Sequence, residues 1–175
     1  MGIIDDGVQN IKRNLTQVEQ RTDLRDDEKI TRIINICAAI CAGVACQPIP
    51  FADIFILTPI QAYMGSRIAC VRGVPVTEGE AGIIIKQIAG VIGLGLLAQQ
   101  LAIGAYKTFI PILGGFTTVP LVYGLTYGIG RVMDAYFVAR AQGIQLSEKQ
   151  IHDVFDNAKK EGKSASKKHD KSSTD

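Results

Sequence analysis

Gln47-Pro48-Ile49-Pro50-Phe51-Ala52-Asp53 lies inside a stretch from Ile33 to Ser66 whose single formal charge is Asp53, with Thr58-Pro59-Ile60-Gln61 and Met64 close behind it. Two prolines that each fix φ and remove an N–H would break a helix here, so the apolar runs on either side are expected to enter and leave a rigid corner as separate helices. Asp53 is a lone carboxylate in apolar surroundings. It must be capped, paired or exposed, and a helix N-cap is the reading that Asp favours.

Working outward, helical periodicity dominates. Ile4, Val8, Ile11, Leu15 and Val18 form one seam of an N-terminal helix with polar residues around it, either a strap on its own domain or a short coiled-coil contact. Asp23, Asp26 and Asp27 mark a break and an N-cap. Ile30, Ile33, Ile34, Cys37, Cys41 and Val44 then share a face of a second helix that runs into the corner. Beyond it, Thr58 as N-cap, Pro59 at the first position and Gln61 at the third predict a helix through about Arg72, with Ile60, Met64, Ile68 and Val71 buried and Gly73 as terminator.

Thr77 and Glu80 form a second capping box, with Val76 and Ala81 in staple positions, and open a long helix that reads to Lys107. Pro111, Gly114 and Gly115 are expected to form the next turn, followed by a glycine-bearing helix from about Thr118 to Gln142 that stops at Gly143. Ser147 and Gln150 cap a last amphipathic helix with Ile151, Val154, Phe155 and Ala158 on one face. From Lys159 onward no apolar period remains, which predicts disorder. The expected class is all-α, with five to six helices and a central glycine-rich hairpin packed on the proline-cornered pair. The expected organisation is an N-terminal helix and linker over 1–29, a helical domain over 30–143, an amphipathic helix over 144–158 and a tail over 159–175.

Composition narrows the function classes. The 175 residues suit one domain. Nineteen Lys and Arg against seventeen Asp and Glu leave +2, and aromatics are 6%, so a nucleic-acid partner is not expected. Asp5, Asp6, Lys12 and Arg13 interrupt any secretory h-region, which predicts an intracellular protein. Cys37, Cys41, Cys46 and Cys70 lie in apolar surroundings without a second cluster or a nearby histidine, and read as buried small hydrophobes, not metal ligands.

Charges vanish from Gln87 to Tyr106 and again from Thr108 to Gly130, with Lys107 between and Arg67, Arg72, Lys86, Arg131 and Arg140 framing the pair. Each run approaches the ~20 apolar residues needed to span a bilayer. A hairpin with both ends on the cytoplasmic side would satisfy the positive-inside tendency. The Gly124 and Gly128 spacing suits close helix contact in lipid. Gln99, Gln100 and Thr117 argue for protein neighbours instead. A bundle that buries the hairpin predicts the same composition, and the Lys-rich tail either adds attraction to anionic lipid or serves as a solubilising tail.

Motifs with catalytic associations are weak. Gly162-Lys163-Ser164 resembles the end of a phosphate loop but has no preceding strand. Gly93-Leu-Gly95-Leu-Leu-Ala98 matches a relaxed dinucleotide pattern inside a helix, without the acidic residue that should follow. His152 and His169 have no identifiable catalytic partner. No enzyme, cofactor or metal site is expected.

Pro48-Ile49-Pro50-Phe51-Ala52-Asp53, Thr58-Pro59-Ile60-Gln61 with Met64, the glycine-rich helix that follows and Ile110-Pro111-x-x-Gly114-Gly115 together resemble an uncharacterised helical domain family. That family is found after Era-like or dynamin-like GTPase domains and in bacterial inner-membrane proteins of the YcjF type. The resemblance covers roughly Ile30 to Gly143 and implies a membrane-associated module working alongside a GTPase, with no enzymatic activity. Pro48, Pro50, Phe51, Asp53, Pro59, Gln61, Met64, Pro111, Gly114 and Gly115 are its structural or partner-binding candidates. The chain lacks a nucleotide-binding domain of its own, so the GTPase would act in trans. The expected partners are such a GTPase, an anionic membrane at its cytoplasmic face or further copies of the chain. A cytoplasmic oligomeric scaffold and a bundle that carries a small molecule or lipid are the alternatives.

Overall fold

The computed structural model describes residues 2–45, 57–92 and 111–172. Among the described residues there are six α-helices and no strand: α1 Gly2–Glu19, α2 Asp26–Ala45, α3 Thr58–Val71, α4 Glu78–Ile92, α5 Pro111–Ala141 and α6 Glu148–Ser172. The all-α expectation holds, as does the helix count. The proline corner and the stretch from 93 to 110 lie outside the described residues.

The central element is α5. Its uniform apolarity, which composition alone left open between lipid and protein, is explained by its neighbours: α2, α3, α4 and α6 all pack against it. Every residue from Val122 to Gly130 is buried. No described helix is long and apolar enough to cross a membrane. The second arm of the proposed hairpin is therefore covered, from Val122 onward, by the chain itself.

Two hinges of the same construction reverse the chain at one end of the bundle. Gly73 and Gly143 have φ of 71° and 69°, the left-handed conformation that a residue without Cβ adopts freely. In the first hinge Val74 N–H donates to Ala69 O at 2.9 Å and Gly73 N–H to Cys70 O at 3.0 Å. In the second, Ile144 N–H donates to Ala139 O at 2.8 Å and Gly143 N–H to Arg140 O at 3.1 Å. Both are Schellman closures. A reciprocal box then opens each following helix. Thr77 N–H donates to Glu80 at 2.8 Å and Glu80 N–H to Thr77 Oγ1 at 3.2 Å. Ser147 N–H donates to Gln150 at 2.9 Å and Gln150 N–H to Ser147 Oγ at 3.3 Å. The staple positions Val76 with Ala81, and Leu146 with Ile151, all join the core.

Three expected boundaries move. The start of α2 uses Arg25, not an aspartate, as its cap: Glu28 accepts the Arg25 N–H at 3.0 Å, while Asp26, Asp27 and Glu28 fill the first turn. Asp and Glu there complement the positive end of the helix dipole. At α3, Leu57 is already helical and no side chain caps the terminus, so Thr58 sits inside the helix instead of at its edge. At α5, Pro111 is the first residue of the helix, and Gly114 and Gly115 lie within its opening turns. Proline suits that place because the N–H it lacks would have no intrahelical partner.

The largest departure is the tail. Instead of ending near Ala158, α6 runs to Ser172. It lies antiparallel to α5 on a seam of small residues. A Cβ on Gly128 would stand 2.9 Å from the Phe155 ring, one on Gly124 would stand 2.9 Å from Lys159 O, and one on Gly162 would stand 2.8 Å from Tyr127 Cβ. Glycine at these three places sets how closely the helices approach. The Gly124 and Gly128 spacing thus serves a contact inside the chain. Gly162-Lys163-Ser164 lies in mid-helix, and its glycine is a packing residue. On the other flank, Leu15 of α1 is fully buried, with Ile11 and Val18 packed on the same core. The N-terminal seam is a strap on its own domain.

Replacing Gly128 by Ala should destabilise the fold by about 1–3 kcal/mol through overpacking against Phe155. Gly43→Ala in α2, where an added Cβ meets nothing within 4 Å, should instead be stabilising by roughly 0.5–1 kcal/mol. Urea unfolding midpoints of the two variants measure the contrast.

Candidate functional site

The candidate residues disperse. Pro48, Pro50, Phe51 and Asp53 lie outside the described residues. Pro59 is exposed at the start of α3, while Met64 is wholly buried in the core. Gln61, half-buried, turns away from the helix terminus and donates to Thr126 Oγ1 of α5 at 3.4 Å. Pro111, Gly114 and Gly115 belong to the opening turns of α5. Gln61 and Met64 therefore position α3 against the bundle and do not converge on a pocket.

The polar groups that do converge form three clamps between helices. At the hinge end Arg72 donates to both Asp134 oxygens, at 2.7 and 3.1 Å, and to Asp27 at 2.8 Å. This joins the end of α3 to α5 and to the start of α2. Hydrogen bonding to Asp134 raises the Arg72 guanidinium above its ordinary range. On the outer flank Arg67 donates to Glu19 at 3.0 Å, and both Arg67 and Lys12 lie over the Tyr63 ring, at 5.2 and 5.0 Å from its centroid. Tyr63 itself donates to Lys12 O at 3.3 Å, and so α1 is held to α3. Arg67 Nε is buried without a hydrogen-bond partner.

The third clamp is a ladder on α5. Tyr123, Tyr127 and Arg131 recur every four residues, hence on one helix face. Tyr123 donates to Asn35 of α2 at 2.8 Å, and Tyr127 donates to Glu161 of α6 at 3.0 Å. Arg131 donates to Tyr127 Oη at 2.9 Å and to Thr31 of α2 at 3.0 Å. Burial raises both phenols, Tyr127 despite the opposing pull of Arg131. The sequence signal for this ladder was the i, i+4 recurrence of hydroxyl and guanidinium groups in a nearly neutral helix. These groups are mutually satisfied and act as structural ties.

Cys37 and Cys41 behave as apolar side chains, whereas Cys70 is only half-buried and Cys46 lies outside the described residues. Cys37 and Cys41 are free and fully buried. Burial pushes the Cys37 thiol far above its usual range, and pushes that of Cys41 up to about 12. Among the described residues no group of three or more His, Cys, Asp or Glu side chains could hold a metal ion.

What the arrangement offers is a polarised exterior. The hinge end gathers the start of α2, the end of α3, the start of α4, the end of α5 and the start of α6. It bears the Arg72 clamp and the ion pair of Lys12 with Glu78 at 2.9 Å. At the other end Ala45, Leu57 and Val122 share a small apolar cluster. From that end the chain leaves into 46–56 and 93–110, which carry Asp53 and Lys107 as their only charges. Among the described residues two large apolar side chains stand out on the surface, Ile83 and Ile144, each 57% exposed.

No family model, curated protein or solved structure matches the chain.

The buried thiols make stability depend on pH with a definite sign. Their folded values lie above the ordinary value of 9.0, so the unfolded chain releases these protons first. Their contribution is complete below about pH 9 and is lost as pH rises through the folded values, at up to ~1.4 kcal/mol per pH unit for each thiol. Urea midpoints between pH 8 and 10 should fall, and the double variant Cys37→Ala, Cys41→Ala should flatten that fall. Separately, Asp134→Ala, which leaves Arg72 with Asp27 as its acidic partner, should cost roughly 1–2 kcal/mol in the same assay at pH 7.

Proposed function

We propose that this chain is a non-enzymatic helical module that associates with the cytoplasmic face of an anionic membrane and there holds a GTPase-type partner or further copies of itself. One observation carries the reading: the bundle separates its charged clamps and hinges from an end where the chain passes into two nearly uncharged segments. Apolar segments beside basic ones are the composition of a surface that lies on a bilayer without spanning it. The described polar clusters support a non-enzymatic reading, because their groups are paired with one another instead of converging on a space for substrate. The GTPase partner rests on the sequence resemblance alone.

A second reading, an oligomeric scaffold, draws on the exposed Ile83 and Ile144, which suit burial between copies. Flotation separates the two. The full chain mixed with vesicles of phosphatidylcholine and one-fifth phosphatidylserine should rise with the lipid. Recovery entirely in the lower fractions, as one defined oligomer, would overturn the membrane reading in favour of the scaffold.

A further inference from the structure

Among the described residues α1 is the helix least embedded in the bundle. Of its side chains from Gln9 to Glu19, Leu15 alone is fully buried; Ile11 and Val18 pack on the core from its edge, and the others are half-buried or exposed. By contrast, α2 buries eight side chains. A helix with so little apolar cover opens at a lower free-energy cost than the bundle as a whole. Its connection to the bundle allows that motion. From Gln20 to Asp27 every residue except Leu24 is exposed. The Arg25 and Glu28 box closes the terminus of α2 from within, so lifting α1 leaves α2 capped.

What holds α1 down is charge. Lys12 pairs with Glu78 at the start of α4 at 2.9 Å, and two turns later Glu19 accepts from Arg67 of α3 at 3.0 Å. Between the two pairs stands Tyr63, whose ring meets both cations and whose hydroxyl donates to Lys12 O. Thr16 Oγ1 comes within 3.3 Å of the same hydroxyl. The side chains of Lys12 and Glu78 are 39% and 49% exposed, so their attraction is open to screening by salt. The closed arrangement also carries a cost beside the latch, because Arg67 Nε is buried without a hydrogen-bond partner. Lifting α1 takes Glu19 away from that guanidinium, where water then serves as its partner. Other candidates in the molecule point to no ligand: the Arg72 clamp and the Tyr123, Tyr127 and Arg131 ladder are internally satisfied, and nothing in the structure indicates what would cover Ile83 and Ile144.

We infer that α1 is a detachable strap, latched by the pairs Lys12–Glu78 and Glu19–Arg67 with Tyr63 between them. It swings on residues 20–25 and uncovers the Tyr63 and Arg67 face of α3 while the rest of the bundle stays folded. The device is independent of what the bundle associates with. Its setting follows ionic strength: the strap is closed at low salt and increasingly open as the pairs are screened.

The test follows amide hydrogen exchange in the full chain by mass spectrometry, at about 20 mM and about 0.5 M salt. Alkylation of the fully buried Cys37 and Cys41 gauges global unfolding in the same samples. Amides of residues 12–19 should exchange at least about tenfold faster than those of α2 and α5 at buried positions, and several-fold faster again at the higher salt. Glu19→Gln should speed exchange in α1 roughly three- to tenfold, and the more exposed Lys12→Gln about twofold, with alkylation of Cys37 and Cys41 unchanged. Lys149→Gln, which breaks an ion pair within α6, should leave α1 as it was. Protection lost in Lys12→Glu should return when Glu78→Lys is added. Exchange of α1 in step with α5 and with alkylation of the buried thiols would overturn the strap. Fast exchange of α1 that ignores salt and every variant would overturn the latch.

Discussion

The closeness of α5 to α6 is the constraint from which the rest of the structure follows. Gly124, Gly128 and Gly162 remove the side chains that would hold the two helices apart, and Phe155 and the Tyr127 stem occupy the space so gained. α6 lies along α5 at this range through Ile151, Phe155 and Ala158 in its first half and through backbone and short side chains beyond them. That approach fixes the second hinge, brings Glu161 within reach of Tyr127, and through Tyr127 and Arg131 ties α6 to Thr31 of α2. Elsewhere tight spots are met differently. At Gly65 and Gly130 the neighbouring Met133 and Ile34 side chains crowd directly over the glycine, so α3 and α2 also reach α5 over small residues.

Much of the architecture was legible wherever a local rule and the tertiary packing agreed. The T-x-x-E and S-x-x-Q boxes, the two terminating glycines and the seams of α1 and α2 all combine a local chemical signal with a buried face, and each appears as read. The misreadings share a cause. Periodicity counts large apolar residues, and the end of α6 buries Gly162, Ala158 and Ser166, so its helix left no hydrophobic trace. Proline beside paired glycines resembles a turn, yet Pro111 starts a helix whose continuation is secured by four neighbouring helices. Thr58 had the composition of a cap, but a helical Leu57 before it leaves no boundary to cap.

The candidate surfaces were less legible, for a related reason. A resemblance singled out Gln61 and Met64, whose work is to seat α3, while Gly162, which seats the end of α6 on α5, lay in a segment read as disordered. Charge in this fold is sorted by height along the bundle. Guanidinium and carboxylate groups form clamps near the hinges, and α5 stays neutral up to Arg131.

Because α5 supplies the centre of the core and follows α1 to α4 in the chain, the earlier helices cannot finish packing as they emerge from the ribosome. The buried side of α2, with Ile30, Ile33, Ile34, Cys37 and Cys41, waits for a partner made nearly a hundred residues later, which at ordinary elongation rates is roughly 5–20 s. Throughout that interval only α1 and α3 are at hand to cover the isoleucine ridge. Shelter during biosynthesis, from a chaperone or from a nearby bilayer, is thus a demand that this topology places on the cell.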